Sequence, residues 1–202
     1  MDLDKVYIGC SGYHYKEWRG KFYPEDLGQS EWLSYYAAIF PSVEINNSFY
    51  KIPDEKTLTA WKKETPEEFR FTLKGSRYIT HMKKLKDPSD HLDKFYRAIE
   101  PIAAKTECIL WQLPGNQHLD TGKLDNFCRL LSKDFINSIE FRHISWFTEE
   151  TFEILSNHNH VSACSLSAPG DLPGDLLESH GKVYIRFHGK EDWYNHDYSD
   201  GE

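Results

Sequence analysis

Four stretches of the chain alternate apolar and polar residues with a period of two, the spacing that sends successive side chains to opposite faces of a β-strand. Between Ser42 and Ser48, Val43 and Ile45 oppose Glu44, Asn46 and Ser48. Between Phe69 and Lys74, Phe69, Phe71 and Leu73 oppose Arg70, Thr72 and Lys74. Ile139 and Phe141 oppose Glu140 and Arg142, and Val183, Ile185 and Phe187 oppose Tyr184, Arg186 and His188. Shorter apolar runs over 6–11, 108–113 and 161–166 predict three more strands. Helical spacing separates them. Trp32, Leu33, Tyr36, Ala37 and Phe40 predict a helix capped by Ser30, and Leu58 and Trp61 one that opens at Pro53-Asp54 and closes at Thr65-Pro66. Leu92, Phe95, Tyr96 and Ile99 follow Pro88-Ser89-Asp90. Leu124, Phe127, Cys128 and Leu131 make a fourth stripe, and Thr148 caps a fifth helix with Glu149 and Glu150 in its first turn.

Seven predicted strands separated by helices indicate an α/β fold with a parallel sheet. No glycine-rich phosphate or dinucleotide signature follows the first strand, which weakens nucleotide-fold readings. A TIM-type (βα)8 barrel accommodates the charged faces better, because inward positions at the carboxyl ends of its strands line one mouth. Glu44, Asn46, Lys74, Gln112, Glu140, Arg142, Arg186 and His188 are then expected to converge. The expectation is a single domain over 1–202, incomplete at its C-terminus, since the eighth strand and its helix do not appear before Asp200-Gly201-Glu202. Either the barrel is truncated, or another chain covers the open edge between strands one and seven, which makes self-association through that edge a candidate partnership.

Composition narrows the function. A formal net charge of -8 argues against a protein built to hold nucleic acid by its phosphates, although a local basic cleft stays compatible with it. Residues 1–6 lack the basic and then apolar profile of a secretory signal, and no apolar run reaches the length of a membrane span, so a cytoplasmic location and no membrane partner are expected. Cys10, Cys108, Cys128 and Cys164 form no CxxC pair and are read as buried thiols.

Several motifs carry a family resemblance. Ile8-Gly9-Cys10-Ser11-Gly12-Tyr13 with Trp18, Phe22-Tyr23-Pro24, and Val43 to Tyr50 are three of them. Phe71-Thr72-Leu73-Lys74 with Thr80-His81, Glu140-Phe141-Arg142-His143 with Ser145-Trp146, and Val183 to Gly189 complete the set. The chain resembles the YecE-like family, domain of unknown function 72. The resemblance implies a TIM-type barrel and lends no activity. It also implies a further helix and a strand bearing Phe-Asn-Asn, which this sequence lacks.

The chemistry must therefore come from the converging residues. Lys74, Arg142 and Arg186 suit an anionic group, or else neutralise Glu44 and Glu140 in a structural network. Glu44 and Glu140 are candidate acid and base, and His188 is the better proton carrier near neutral pH. His81 or His14 is placed to assist, and Asn46, Gln112, Tyr13 and Trp146 are candidate substrate contacts. Tyr13, Trp18, Trp146, Trp193 and Tyr198 sit in loops after strands, Trp146 above Glu140 and Arg142, where they either stack on a sugar or base or cap the core. Glu44, Glu140, His81 and His188 have ligand types that suit a divalent ion, but three nearby cations argue against a metal, and no cofactor is expected. The favoured reading is an enzyme for a small anionic, phosphorylated or nucleotide-like, metabolite. A noncatalytic binding protein using the same pocket, and a metal-dependent nucleic-acid enzyme, are the alternatives.

Overall fold

The computed structural model describes residues 6–201. Its strands lie in one sheet in chain order: β1 (Gly9–Cys10), β2 (Ser42–Ile45), β3 (Arg70–Lys74), β4 (Thr106–Gln112), β5 (Ile136–Glu140), β6 (Val161–Ser167) and β7 (Tyr184–Phe187). β1 pairs with β2, β2 with β3, β5 with β6 and β6 with β7, all in parallel. Helices α1 (Trp32–Ala37), α2 (Asn47–Tyr50), α3 (Glu55–Glu64), α4 (Ser89–Ile99), α5 (Thr121–Leu130) and α6 (Glu149–Ser156) fall between the strands. Parallel neighbours require such crossovers, so the α/β class follows directly. The chain divides into two compact units. One holds the residues up to Ser76 with Asp93–Ile109, and the other holds Arg77–Leu92 with Leu110 onward.

In the first unit the approach of β1 to β2 depends on Gly9, since a Cβ there would lie 2.0 Å from the Ser42 carbonyl oxygen. Tyr36 of α1 ties the same two strands together, its hydroxyl accepting from the Cys10 N–H at 2.7 Å and donating to the Ser42 carbonyl at 3.0 Å. Around it Tyr23 stacks on Trp32 with centroids 4.6 Å apart, both fully buried, so this aromatic-rich segment is core. Lys105 staples the end of α3: its buried ammonium donates to the Lys62, Thr65 and Pro66 carbonyls at 3.0, 2.7 and 2.7 Å, the first of them among the last four carbonyls that a helix leaves without an internal partner.

In the second unit α5 begins at Asp120, whose carboxylate accepts the Lys123 N–H at 3.0 Å, and α6 begins at Thr148 as expected. Trp111 on the outer side of β4 meets Phe127 of α5 edge to face at 5.3 Å. On the opposite side of the sheet Leu110, Cys164 and Leu166 form a small buried cluster, with Leu172 and Tyr184 packed against it. The cysteines are thiols, Cys108, Cys128 and Cys164 buried and Cys10 half-buried.

Three local expectations need correction. Ser30 does not cap α1; it lies in a 3-10 turn, Gln29–Glu31, that precedes the helix. The alternation from Ser42 to Ser48 overran the strand, because α2 begins at Asn47, where Ser48 bonds back to the Ile45 carbonyl at 3.0 Å. Trp146, expected in a loop above the site, is fully buried in the 3-10 turn Ile144–Trp146. It stacks on Phe141 at 5.0 Å and donates to the Gln117 carbonyl at 2.7 Å. A large ring with a satisfied N–H is stabilised more by the dry interior than by a wet rim.

Candidate functional site

Strand period brings chemistry to the carboxyl ends of β4, β5 and β7. Glu140, the last residue of β5, is fully buried. One of its oxygens accepts the Arg142 Nε–H, and the other accepts from Arg186 Nη1 at 2.5 Å. Burial pushes the Glu140 carboxyl up, but Arg186 and then Arg142 pull it down and win, holding it below the usual carboxylate value. Glu140 is therefore an ion that holds two guanidiniums in place.

His188, just beyond β7 and 3% exposed, faces the same pair. Its Nε2 lies 3.0 Å from Arg142 Nη2 and 3.3 Å from Arg186 Nη1. A guanidinium only donates, so Nε2 accepts with its lone pair and the ring proton sits on Nδ1. Gly189 next turns the chain back. It adopts φ +98°, and a Cβ there would fall 2.2 Å from the Asp192 carbonyl oxygen, so a side chain is excluded. The turn sets the Trp193 ring over the Arg142 guanidinium at 5.0 Å and beside His188 at 5.5 Å. Tyr198 pins the loop, its hydroxyl 2.8 Å from Ser167 Oγ and accepting the Gly189 N–H at 2.9 Å.

A cleft of about 340 Å³ opens against this cluster, lined by His81, Gln112, Pro114, Gly115, Arg142, Leu172 and Trp193. Arg142 has five N–H groups, of which Glu140 and His188 engage one each, while its side chain is 13% exposed. His81, in the turn Tyr78–Met82, has Nδ1 2.9 Å from Thr80 Oγ1.

The first unit gathers its own polar strand ends. Ser11 Oγ donates to the buried Glu44 carboxylate at 2.5 Å, and Asn46 Nδ2 donates to the Ser11 carbonyl at 3.1 Å. Lys74 ends β3 with its ammonium 4.6 Å from the centre of the Phe49 ring. Tyr13 packs near Tyr36 at 6.3 Å, and its carbonyl accepts from Tyr23.

Glu140, Arg142, Arg186 and His188 are thus one hydrogen-bonded group, with Gln112 and His81 on the adjoining cleft. Glu44 and Asn46 share Ser11, whose place in the Gly9-Cys10-Ser11-Gly12 motif was its one signal in the sequence. Trp146 presents no surface to a ligand, whereas Trp193 does. The signal for Trp193 was available in Gly189, the turn residue that returns the loop to the strand end. Among the described residues no group of three or more His, Cys, Asp and Glu side chains is placed to hold a metal ion, and no helix is long and apolar enough to cross a membrane.

These features define an α/β protein with a sequentially ordered sheet and a carboxylate-held arginine pair at its strand ends. The chain belongs to the family described as Protein of unknown function DUF72, which it matches over residues 7–202. It is similar to the UPF0759 protein YunF of Bacillus subtilis, 27% identical over 95% of this chain and 73% of that protein. It is also similar to the UPF0759 protein YecE of Escherichia coli K12, 28% identical over 71% of this chain, and that match spans about half (51%) of YecE. The crystal structure of a DUF72 family protein (TM1631) from Thermotoga maritima aligns with a TM-score of 0.82 at 30% identity, over 96% of this chain and 82% of that one. A DUF72 family protein (EF0366) of Enterococcus faecalis shares the fold, with a TM-score of 0.71 at 20% identity, over 91% of this chain and 70% of that one.

Proposed function

We propose that the seven strands are the greater part of a TIM-type (βα)8 barrel and that the cleft beside Arg142 binds a small anionic metabolite. The barrel reading rests on the sequential strand order and on the likeness to a solved relative, 82% of which this chain covers. The anion reading rests on one observation: Arg142 lines the cleft with N–H groups to spare, while Glu140, His188 and Trp193 hold its guanidinium in position. A prepositioned guanidinium loses little freedom on binding, and its charge-assisted hydrogen bonds are among the stronger ones.

In this reading Glu140 and His188 support the arginines rather than carry protons, because the carboxylate is saturated by two cations and Nε2 faces two donors. An enzyme remains the second reading, favoured by His81, an imidazole on the same cleft and so the candidate proton carrier. A thermal-shift panel of small anionic metabolites tests binding. At least one is expected to raise the wild-type melting temperature and to lose that effect in Arg142→Ala; a panel without response, or responses indifferent to Arg142, overturns the reading. Once a turned-over substrate is found, His81→Gln is expected to lower kcat while leaving affinity within a factor of about two.

A further inference from the structure

We infer, resting on the anion reading above, that the ligand is a monocarboxylate with a flat, apolar body, such as an aromatic acid, rather than a phosphate ester. Trp193 covers one face of the Arg142 guanidinium, and Glu140 and His188 occupy part of its rim. Three of its five N–H groups are left for a ligand, and a guanidinium meets the two oxygens of a carboxylate in one plane.

Charge points the same way. Arg142 is the one lysine or arginine lining the cleft, while Arg186 is directed at Glu140 and His188. One guanidinium balances one negative charge. A phosphate monoester carries about -1.5 to -2 near neutral pH, and its sites gather several cationic donors or a helix N-terminus. None of the residues lining this cleft belongs to the first turn of an α-helix.

The walls describe the rest of the molecule. Pro114, Leu172 and the Trp193 ring are apolar walls, and Leu172 is held there by its packing on the buried Leu110, Cys164 and Leu166. At about 340 Å³ the cleft lies at the small end of the roughly 300–1,000 Å³ of ligand sites, a fit for a single ring system rather than a dinucleotide. Gln112 and His81 are the polar side chains on the cleft wall that face ring substituents of a bound acid in this reading.

Isothermal titration of the full chain with phenylacetate, acetate, phenyl phosphate and inorganic phosphate tests the inference. Phenylacetate is expected to bind at least tenfold more tightly than the other three. Trp193→Ala, in an exposed loop, is expected to remove most of its advantage over acetate without moving the urea midpoint, and Arg142→Lys to weaken both carboxylates. Equal binding of phenylacetate and acetate overturns the flat-body requirement. Phenyl phosphate binding more tightly than phenylacetate, and depending on Arg142, overturns the carboxylate class and leaves the anion site standing. If none of the four binds in an Arg142-dependent way, both readings fall.

Discussion

Strands β5 and β7 carry the same two-residue alternation and meet opposite surroundings on their apolar sides. Ile139 and Phe141 are buried, Phe141 against Trp146 and Phe147. Ile185 and Phe187 stand 39% and 66% exposed. The polar sides behave alike, because Glu140, Arg186 and His188 are all buried. By hydrophobicity alone β7 would slip one residue, which exchanges the two faces of a strand. Magnitudes explain why it does not. The exposed fractions of Ile185 and Phe187 together amount to about one side chain, worth about 1.5–3 kcal/mol if covered, whereas taking one partner from a buried ion pair costs about 3–5 kcal/mol and the β6 register would be lost as well. At β7 the electrostatic group sets the face, and at β5 both forces agree.

The largest test of this contrast is Glu140→Ala, which leaves two guanidiniums in a dry site without their shared carboxylate. Urea denaturation is expected to show a loss of about 3–5 kcal/mol. Arg186→Ala is expected to cost a similar amount, with the double variant losing less than the two together. Independent, additive losses would show that the ion pair does not set the β7 face.

Next comes the apolar side. Phe141→Ala is expected to cost about 3–5 kcal/mol as a cavity opens in the core. Phe187→Ser should stay within about 0.5 kcal/mol, the smallest effect of the set. A Phe187 loss approaching that of Phe141 would mean that something covers β7 in solution.

A pH titration of stability lies between these extremes and separates two groups by sign and window. The folded state lowers the Glu140 pKa, so its contribution is complete above the ordinary value of 4.5 and fades as pH falls below it. His160 is buried and donates Nε2–H to the Cys128 carbonyl at 3.2 Å, and burial lowers its pKa from 6.5. The unfolded chain then takes the proton first, so stability declines as pH drops below about 6.5. The melting temperature is expected to fall in two stages. The upper stage should vanish in His160→Asn and the lower one in Glu140→Gln; an upper stage that survives His160→Asn assigns it to another group.

Much of the fold was legible because its signals are local. Asp54 and Thr148 cap α3 and α6 with short polar side chains, and the alternation in β3, β5 and β7 declares two faces without reference to partners. Boundaries failed where local chemistry competes with period. Asn46 and Ser48 continue the alternation of β2, yet α2 begins between them at Asn47 and Ser48 bonds back to Ile45, as such side chains do at helix starts. At the site, the residue types of Glu140, Arg142, Arg186 and His188 were apparent from the strand ends. Their roles were not, since a carboxylate facing a single water and one clamped by two guanidiniums read the same in sequence. The two tryptophans after strand ends looked equivalent as well. Trp146 went into the core because Gln117 supplies a buried acceptor, and Trp193 reached the cleft because Gly189 can turn.

The sequence by itself determined which side chains share a face, because a period of two is written into every strand, and from that the polar ends of β5 and β7. Only the tertiary structure decided what those ends do. Glu140 and Arg186 lie 46 positions apart, and so do Arg142 and His188. Hydrogen bonding acts over about 3 Å, so the charge of Glu140, the acceptor role of His188 and the edge that Arg142 turns to the cleft exist only once parallel strands bring those positions together.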